Sequence, residues 1–496
     1  MKGDVQQLNL FNFGKENFVI DKPIRLIELF SGIGSQAKAL EILGVPFEHW
    51  KTCEWAIKSI QAYKDIHFKN ETAVLIGFDK EKEIERLYKQ GISSNYNEPM
   101  TLDQIKKLSK EQIYTITENN LLTHNLVNIQ NVKGEDLEIK EKDKYDYILT
   151  YSFPCQDLSL AGKGKGMSDT STRSGMLWEV ERILNECKES DCLPQILLME
   201  NVPQVHSKDN IEDFRKWQLA LEKLGYQNYW QDLIATDYGI PQTRNRCFMV
   251  SILGYYSYTF PKPIPLKLKL KDMLENEVDE KYYLSDKMID FFTHNEEKQK
   301  DNGNGFRFNV SDGNVIAKTI TTRAGSRMDD NFIRIGNKSL RETLENNEIK
   351  QDISFVDSYN KKIRDDELSS TITTRVSDSN NTFLAIKNAT KKGFLEAQEG
   401  DGIDISSRME YHRGTVQKGK TQTLTTCGGE NNGVVSKDLR IRKLTPKECF
   451  RLMGVKDEDY EKCAKNQSNS SLYHLAGDSI VVNVLMAIFN KLLEEE

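Results

Sequence analysis

Three clusters of residues have types and spacings that suit chemistry. Cys155 stands in "SFPCQDLSLAGKGKGM", directly after "YDYILTYSFP", an apolar stretch that reads as a strand ending in a loop. A thiol at that place is presented into a cleft instead of being packed on a sheet face. Glu200 lies at the end of a second buried strand, "QILLMENVP". In "IPQTRNRC", Gln242, Arg244 and Arg246 alternate, which on an extended chain puts all three on one face. The competing readings are structural: a small buried cysteine, a turn after a strand, and a salt-bridged surface strand.

The turn "FSGIGS" carries Gly32 and Gly34 but has Ser35 next and no third glycine, so it makes a poor pyrophosphate fingerprint. Small residues there suit close backbone approach to a cofactor without phosphates, such as S-adenosylmethionine. About twenty residues on, "TCEWAI" supplies Glu54 to accept ribose hydroxyls and Trp55 to stack on an adenine face or to fill core.

These residues must be positioned by strands that alternate with helices. "IRLIELF" reads as a strand, "QAKALEILG" as a helix, and the same alternation recurs through "GMLWEVERILNECK" and "FRKWQLALEKLGY". The pattern predicts an α/β domain with a largely parallel, doubly wound sheet, whose ligands gather at the carboxyl ends of the strands. Gly32, Cys155 and Glu200 would converge there. A charged, helix-prone stretch at about 68–120 reads as an insertion. After about residue 257 the sequence turns polar and loop-rich, and at about 438 the first texture returns. The expected division is therefore 1–256, an inserted β-rich domain at 257–437, and 438–496 completing the first fold. "KTITTRAG", "STITTRVS" and "QTLTTCGG" repeat with Thr319, Thr371 and Thr423 spaced by 52 residues, suggesting three equivalent strand-plus-turn units. Thr445, Pro446 and Glu448 form a helix start of the capping-box type.

Composition narrows the class. The chain has 496 residues, 29 % of them charged, and no uninterrupted apolar run near the ~20 residues that span a bilayer; the N-terminus does not read as a signal peptide. A cytoplasmic protein without a membrane partner is expected. Eight dilute cysteines with no CxxC pair read as reduced thiols, and no metal site is expected. The net charge of -7 argues against general polyanion binding, yet Arg408, Arg413, Lys418 and Lys420 face one acid, Glu410, between residues 406 and 427.

The chain resembles the DNA cytosine carbon-5 methyltransferase family. "ELFSGIG", "CEW", "FPCQ", "ENV", "QTRNR", "RKLTPKECFRLMG" and "GDSIVVNV" appear in the family order, covering roughly 24–255 and 438–493. The resemblance implies a Rossmann-like, S-adenosylmethionine-dependent domain interrupted by a target recognition domain. It implies Cys155 as the nucleophile adding to carbon 6 of cytosine, Glu200 as the acid at nitrogen 3, and Arg244 and Arg246 around the target base. It places the cofactor among Phe30, Ser31, Gly32, Ile33, Gly34, Glu54, Trp55, Asn128, Ile129, Pro154, Asp478 and Ser479. Expected DNA contacts are Gln156, Ser159, Lys163, Lys165, Asn201, Gln242, Arg323, Arg375, Arg413, Thr423 and Thr425. The reacting base would have to be flipped out of the duplex. Three positions depart from the pattern: Ser35 replaces Gly or Ala, Asn128 replaces an adenine-binding Asp, and Asp478 replaces Asn. A carboxylate at 478 would repel the cofactor's own carboxylate unless screened or turned away. The implied partners are double-stranded DNA and a cognate restriction endonuclease, in a bacterial or phage setting, with the protein a monomer. The alternatives are an RNA (tRNA) cytosine-5 methyltransferase and a catalytically inactive DNA-binding regulator.

Overall fold

A computed structural model describes residues 15–69, 71–153, 176–301, 307–311, 313–336 and 439–494, together with short strands between 353 and 434. Pro154, Cys155, Gln156, Ser159, Lys163, Lys165, Arg375, Arg413, Thr423 and Thr425 lie outside the described residues, as do the second and third threonine repeats.

The chain forms two compact units. One comprises Met1–Val278, Gly313–Asn331 and Leu444–Glu496; the other comprises Asp279–Asp312 and Phe332–Lys443. The sequence reading set the breaks at 256/257 and 437/438. The difference at 313–331 has a physical cause. Ala317 exchanges backbone hydrogen bonds with Pro241 and Thr243, and the side-chain amide of Gln242 accepts from the Ile320 amide. These bonds hold the segment to the first unit.

The first unit is built on six strands: β1 (Ile24–Leu29), β2 (Phe47–Cys53), β3 (Asp146–Tyr151), β4 (Ile196–Asn201), β5 (Tyr226–Ile234) and β6 (Asn245–Leu253), in the order β2-β1-β3-β4-β6-β5. β1, β2, β3 and β4 are parallel, while β6 runs antiparallel to both of its neighbours. Every residue of β1, β3 and β4 is buried, as expected of central strands covered on both faces, where apolar runs are continuous. Helices α1 (Ser35–Leu43), α2 (Ile57–His67), α6 (Leu177–Glu189) and α7 (Ile211–Leu224) accompany the strands. Strand order reverses between β1 and β3, which opens a crevice at their carboxyl ends.

The insertion folds as α3 (Lys80–Gln90), α4 (Leu102–Lys106) and α5 (Lys110–Leu122) around a core of its own. Ile84, Leu87, Ile105 and Ile113 pack there with Ile60 of α2, and Trp55 lies against them. Thr101 and Ser109 start α4 and α5 with capping boxes. The capping box expected at Thr445 is also present: Thr445 Oγ1 accepts from the Glu448 amide at 3.2 Å, and Glu448 accepts from the Thr445 amide at 2.8 Å. The most apolar stretch, Asn469–Leu493, is broken between Asp478 and Val482 and is mostly buried. It is core, which accounts for its hydrophobicity.

The described part of the second unit is mainly β-structure. A three-stranded sheet of Val310–Ser311, Phe332–Gly336 and Leu439–Lys443 is joined by one four-stranded and one three-stranded sheet. Phe292, Phe308 and Phe332 pack together with ring centroids 5.2–5.6 Å apart. The first threonine repeat is not a strand. Residues 318–321 run irregularly into a turn, because side-chain amides replace a neighbouring strand as hydrogen-bond partners.

Candidate active site

At the end of β1 the backbone turns through three left-handed residues, Phe30, Gly32 and Gly34, with φ of 59°, 55° and 77°. The two glycines serve different ends. A Cβ on Gly34 would lie 2.3 Å from His67 Nε2 and 2.6 Å from Tyr63 Cε2, whereas one on Gly32 would meet nothing within 4 Å. Gly34 is demanded by packing, and Gly32 keeps a stretch of backbone open to the crevice. Ser31 Oγ beside it is buried and has no hydrogen-bond partner.

Glu54, at the end of β2, accepts from the amides of Gly32 at 3.1 Å and Ala56 at 2.8 Å. Asn125 fixes it from behind, accepting from the Glu54 amide and donating to its carbonyl, both at 2.9 Å. Burial raises the Glu54 carboxyl to about 7 against these bonds, and Asp478 adds to the rise. Trp55 is partly buried against the insertion's core, so core filling is its visible role. Asn128 is buried, and its Oδ1 accepts from the Gln130 amide at 3.0 Å; Ile129 is buried beside it. An open crevice backbone, an orphaned buried hydroxyl and a carboxyl at the next strand end fit a nucleoside-bearing cofactor.

Asp478 is half-exposed at the end of the helix Asn469–Asp478, and its Oδ2 lies 3.0 Å from His474 Nδ1. The carboxylate sits off the hydrogen-bonding direction of that nitrogen. His474 in turn stacks on Tyr96 of the insertion, centroids 4.0 Å apart and planes within 17°. The extra acid at 478 thus lies beside a histidine that the insertion holds in place. Tyr96, His474 and Asn125 were not singled out from sequence; no local pattern marks them, since each acts through a partner far along the chain.

Glu200 ends β4 only 8 % exposed, with Arg246 Nε 3.0 Å from its Oε1. Burial raises the Glu200 carboxyl above the usual range, and the charges of Arg246 and Arg244 oppose this without cancelling it. A carboxyl so poised keeps a proton more readily than a surface glutamate and suits an acid that meets developing charge. Next to it, Asn201 is buried, donates to the Phe153 carbonyl at 3.0 Å and accepts from the Val202 amide at 2.8 Å. It therefore fixes the backbone just after β3.

The alternating trio divides its work. Only Arg246 reaches Glu200. Arg244 is 4 % exposed and donates to three carbonyls: Ile320 at 3.1 Å, Gly477 at 3.0 Å and Ser479 at 2.8 Å. Gln242 is fully buried, donating to the Leu452 carbonyl at 2.7 Å and accepting from the Ile320 amide at 2.9 Å. Both ends of the amide of Gln242, expected as a DNA contact, have partners inside the fold. Ser479 is likewise buried, its hydroxyl donating to Leu475. Arg323 is exposed on a turn that Asp330 ties down by accepting from the Ser326 and Arg327 amides at 3.1 and 2.9 Å.

Comparison with known proteins agrees with this geometry. Over residues 104–494 the chain matches the family model of C-5 cytosine-specific DNA methylases. It is 28 % identical over 480 residues to the Type II methyltransferase M2.ScrFI of Lactococcus lactis subsp. cremoris, covering 95 % of this chain and 100 % of that one. It is 36 % identical over 271 residues to the orphan methyltransferase M.SssI of Spiroplasma monobiae, covering 53 % of this chain and 68 % of that one. The crystal structure of the S. pombe Dnmt2 methyltransferase shares the fold, with a TM-score of 0.50 at 16 % identity over 95 % of this chain and 98 % of that one. With the strand-end carboxyls of a Rossmann-like sheet in place and the family match spanning most of its length, the chain belongs to the C-5 cytosine-specific DNA methylase family and is a DNA (cytosine-5-)-methyltransferase.

Proposed function

We propose that this enzyme methylates carbon 5 of a flipped-out cytosine within a specific sequence of double-stranded DNA, through a covalent adduct of Cys155. The observation that carries the reading is the buried Glu200 carboxyl held by Arg246 at 3.0 Å, one residue before the asparagine that fixes the Phe153 carbonyl. Cys155 follows two residues later in sequence. Addition of its thiolate to carbon 6 pushes charge onto nitrogen 3, where the Glu200 carboxyl holds the proton, and carbon 5 becomes nucleophilic. Family members use S-adenosylmethionine, which when bound supplies the methyl group; Ser31, Gly32 and Glu54 would hold it. Loss of the carbon-5 proton and elimination of the thiolate then free the enzyme. The Type II names among the relatives support a restriction-modification role, and the orphan methyltransferase of Bacillus phage SPR supports phage self-protection as the other setting. A cytoplasmic location and a cognate restriction endonuclease complete the proposed reading.

The test is transfer of labelled methyl from S-adenosylmethionine to duplex DNA or tRNA, with Cys155→Ala in parallel. Label entering DNA, and a covalent adduct with 5-fluorocytosine DNA that Cys155→Ala abolishes, are expected. Label entering tRNA alone, or an adduct that survives Cys155→Ala, defeats the reading.

A further inference from the structure

Beneath the glycine turn lies a buried histidine whose two nitrogens both meet acceptors. His67 ends α2 with no exposed side-chain surface. Its Nδ1 is 2.8 Å from Glu41 Oε1 and its Nε2 is 2.9 Å from the Ile33 carbonyl oxygen. A carboxylate and a carbonyl both only accept, while a neutral imidazole has a single N–H. A neutral ring would set a nitrogen lone pair against an oxygen lone pair at one of these contacts. Only the doubly protonated ring satisfies both.

The surroundings are arranged for that charge. On α1, Glu41 also pairs with Lys38, which reaches Asp459 at 3.0 Å. Burial would raise the Glu41 carboxyl, but the hydrogen bond and charge of His67, with Lys38, bring it down to about 2. On β2, His49 lies with its ring 5.1 Å from that of His67, and burial together with the His67 charge lowers it to about 3, so it stays neutral. His49 Nδ1 is 2.9 Å from the Tyr63 hydroxyl, which donates to Glu28 of β1. Burial raises Glu28 to about 7. His124 also bears on His49. The ring and the turn are in direct contact, since a Cβ on Gly34 would fall 2.3 Å from Nε2.

We propose that His67 is a positioning residue for the glycine turn. Its imidazolium, clamped between Glu41 and the Ile33 carbonyl, holds residues 31–34 in the shape that admits S-adenosylmethionine. Losing either hydrogen bond loosens the turn and weakens cofactor binding. The inference rests on the turn being the cofactor seat and deepens that reading.

The experiment uses the full chain with ring-15N histidine. Of its seven histidines, the one whose signal disappears in His67→Gln should carry a proton on each ring nitrogen. His67→Leu removes both hydrogen bonds and should weaken the calorimetric Kd for S-adenosylmethionine roughly tenfold, the scale of one charge-assisted hydrogen bond. His67→Gln, whose amide can still donate to the Ile33 carbonyl, should recover most of that loss. A singly protonated wild-type ring overturns the proposal. So does a Kd in His67→Leu equal to that of the wild type, or a loss that His67→Gln leaves in full. If the wild type binds no S-adenosylmethionine, the cofactor reading of the turn falls, and the ring signal shows separately whether the clamp exists.

Discussion

Replacing Arg244 with methionine tests the internal wiring of the site. Arg244 is 4 % exposed and satisfies three carbonyls in two separate segments at 2.8–3.1 Å. Each hydrogen bond from a charged donor contributes about 1.5–3 kcal/mol, and the three share one group, so their sum is not additive; a loss of roughly 3–5 kcal/mol is expected. That loss should be local. The Ile320 amide, which donates to Gln242 at 2.9 Å, and the Thr243 amide, which donates to the Ala317 carbonyl at 2.9 Å, report whether the segment is seated. In Arg244→Met their hydrogen exchange should quicken by roughly two to four orders of magnitude, while exchange in β1 and β3 stays as in the wild type. Arg244→Lys should lie between, since a point-like ammonium cannot fork toward three carbonyls. Unchanged exchange at Ile320 and Thr243 would refute the clasp. An equal rise in β1 would show that the residue supports the whole sheet instead.

Gly32→Ala and Gly34→Ala should separate binding from stability. The first adds a methyl to open crevice at φ 55°, costing about 1 kcal/mol of backbone strain but blocking S-adenosylmethionine in a binding titration; the second collides with His67 and Tyr63 and should lower the melting temperature strongly. Glu200→Gln should slow methyl transfer by roughly 10²–10⁴-fold while DNA binding persists, and a rate within tenfold of wild type contradicts its acid role. Glu54 has a carboxyl raised to about 7, so its stabilising contribution is complete below about 4.5 and is lost as pH rises through 7. The pH slope of stability over that window, measured by denaturant titration, should shrink by about one proton in Glu54→Gln; an identical slope means that the carboxyl is not perturbed. Arg323→Ala, an exposed change, should leave the fold intact and reduce the salt slope of DNA binding by about one.

Much of the sheet was legible because buried parallel strands are mainly apolar, and "IRLIEL", "DYILTY" and "ILLMEN" each centre on such a run. The positions of Gly32, Glu54 and Glu200 follow from strand ends. The alternation of Gln242, Arg244 and Arg246 was legible too, but not its partners. A strand pattern says which residues share a face and is silent about what covers it. Here the cover comes from residues 320, 452 and 477–479, so two of the three polar groups are spent inside the fold. For the same reason Thr319 and its neighbours looked like a strand: β-branched residues register an extended backbone, not whether its partner is another strand or a pair of side-chain amides. His67 was illegible because its significance lies in two acceptors, one contributed by α1 and the other by the turn before it.

The placement of 313–331 has a consequence for recombination between relatives. The chain leaves the first unit after residue 278, returns for nineteen residues, and leaves again until 444. A block exchanged from 279 to 443 as one continuous cassette would carry off Ile320, the partner of both Gln242 and Arg244. It would also remove Thr322, whose amide nitrogen lies 2.2 Å from where a Cβ on Gly477 would be. A chimera that changes the second unit and keeps the first therefore has two exchange blocks, 279–312 and 332–443, with the native span between them retained.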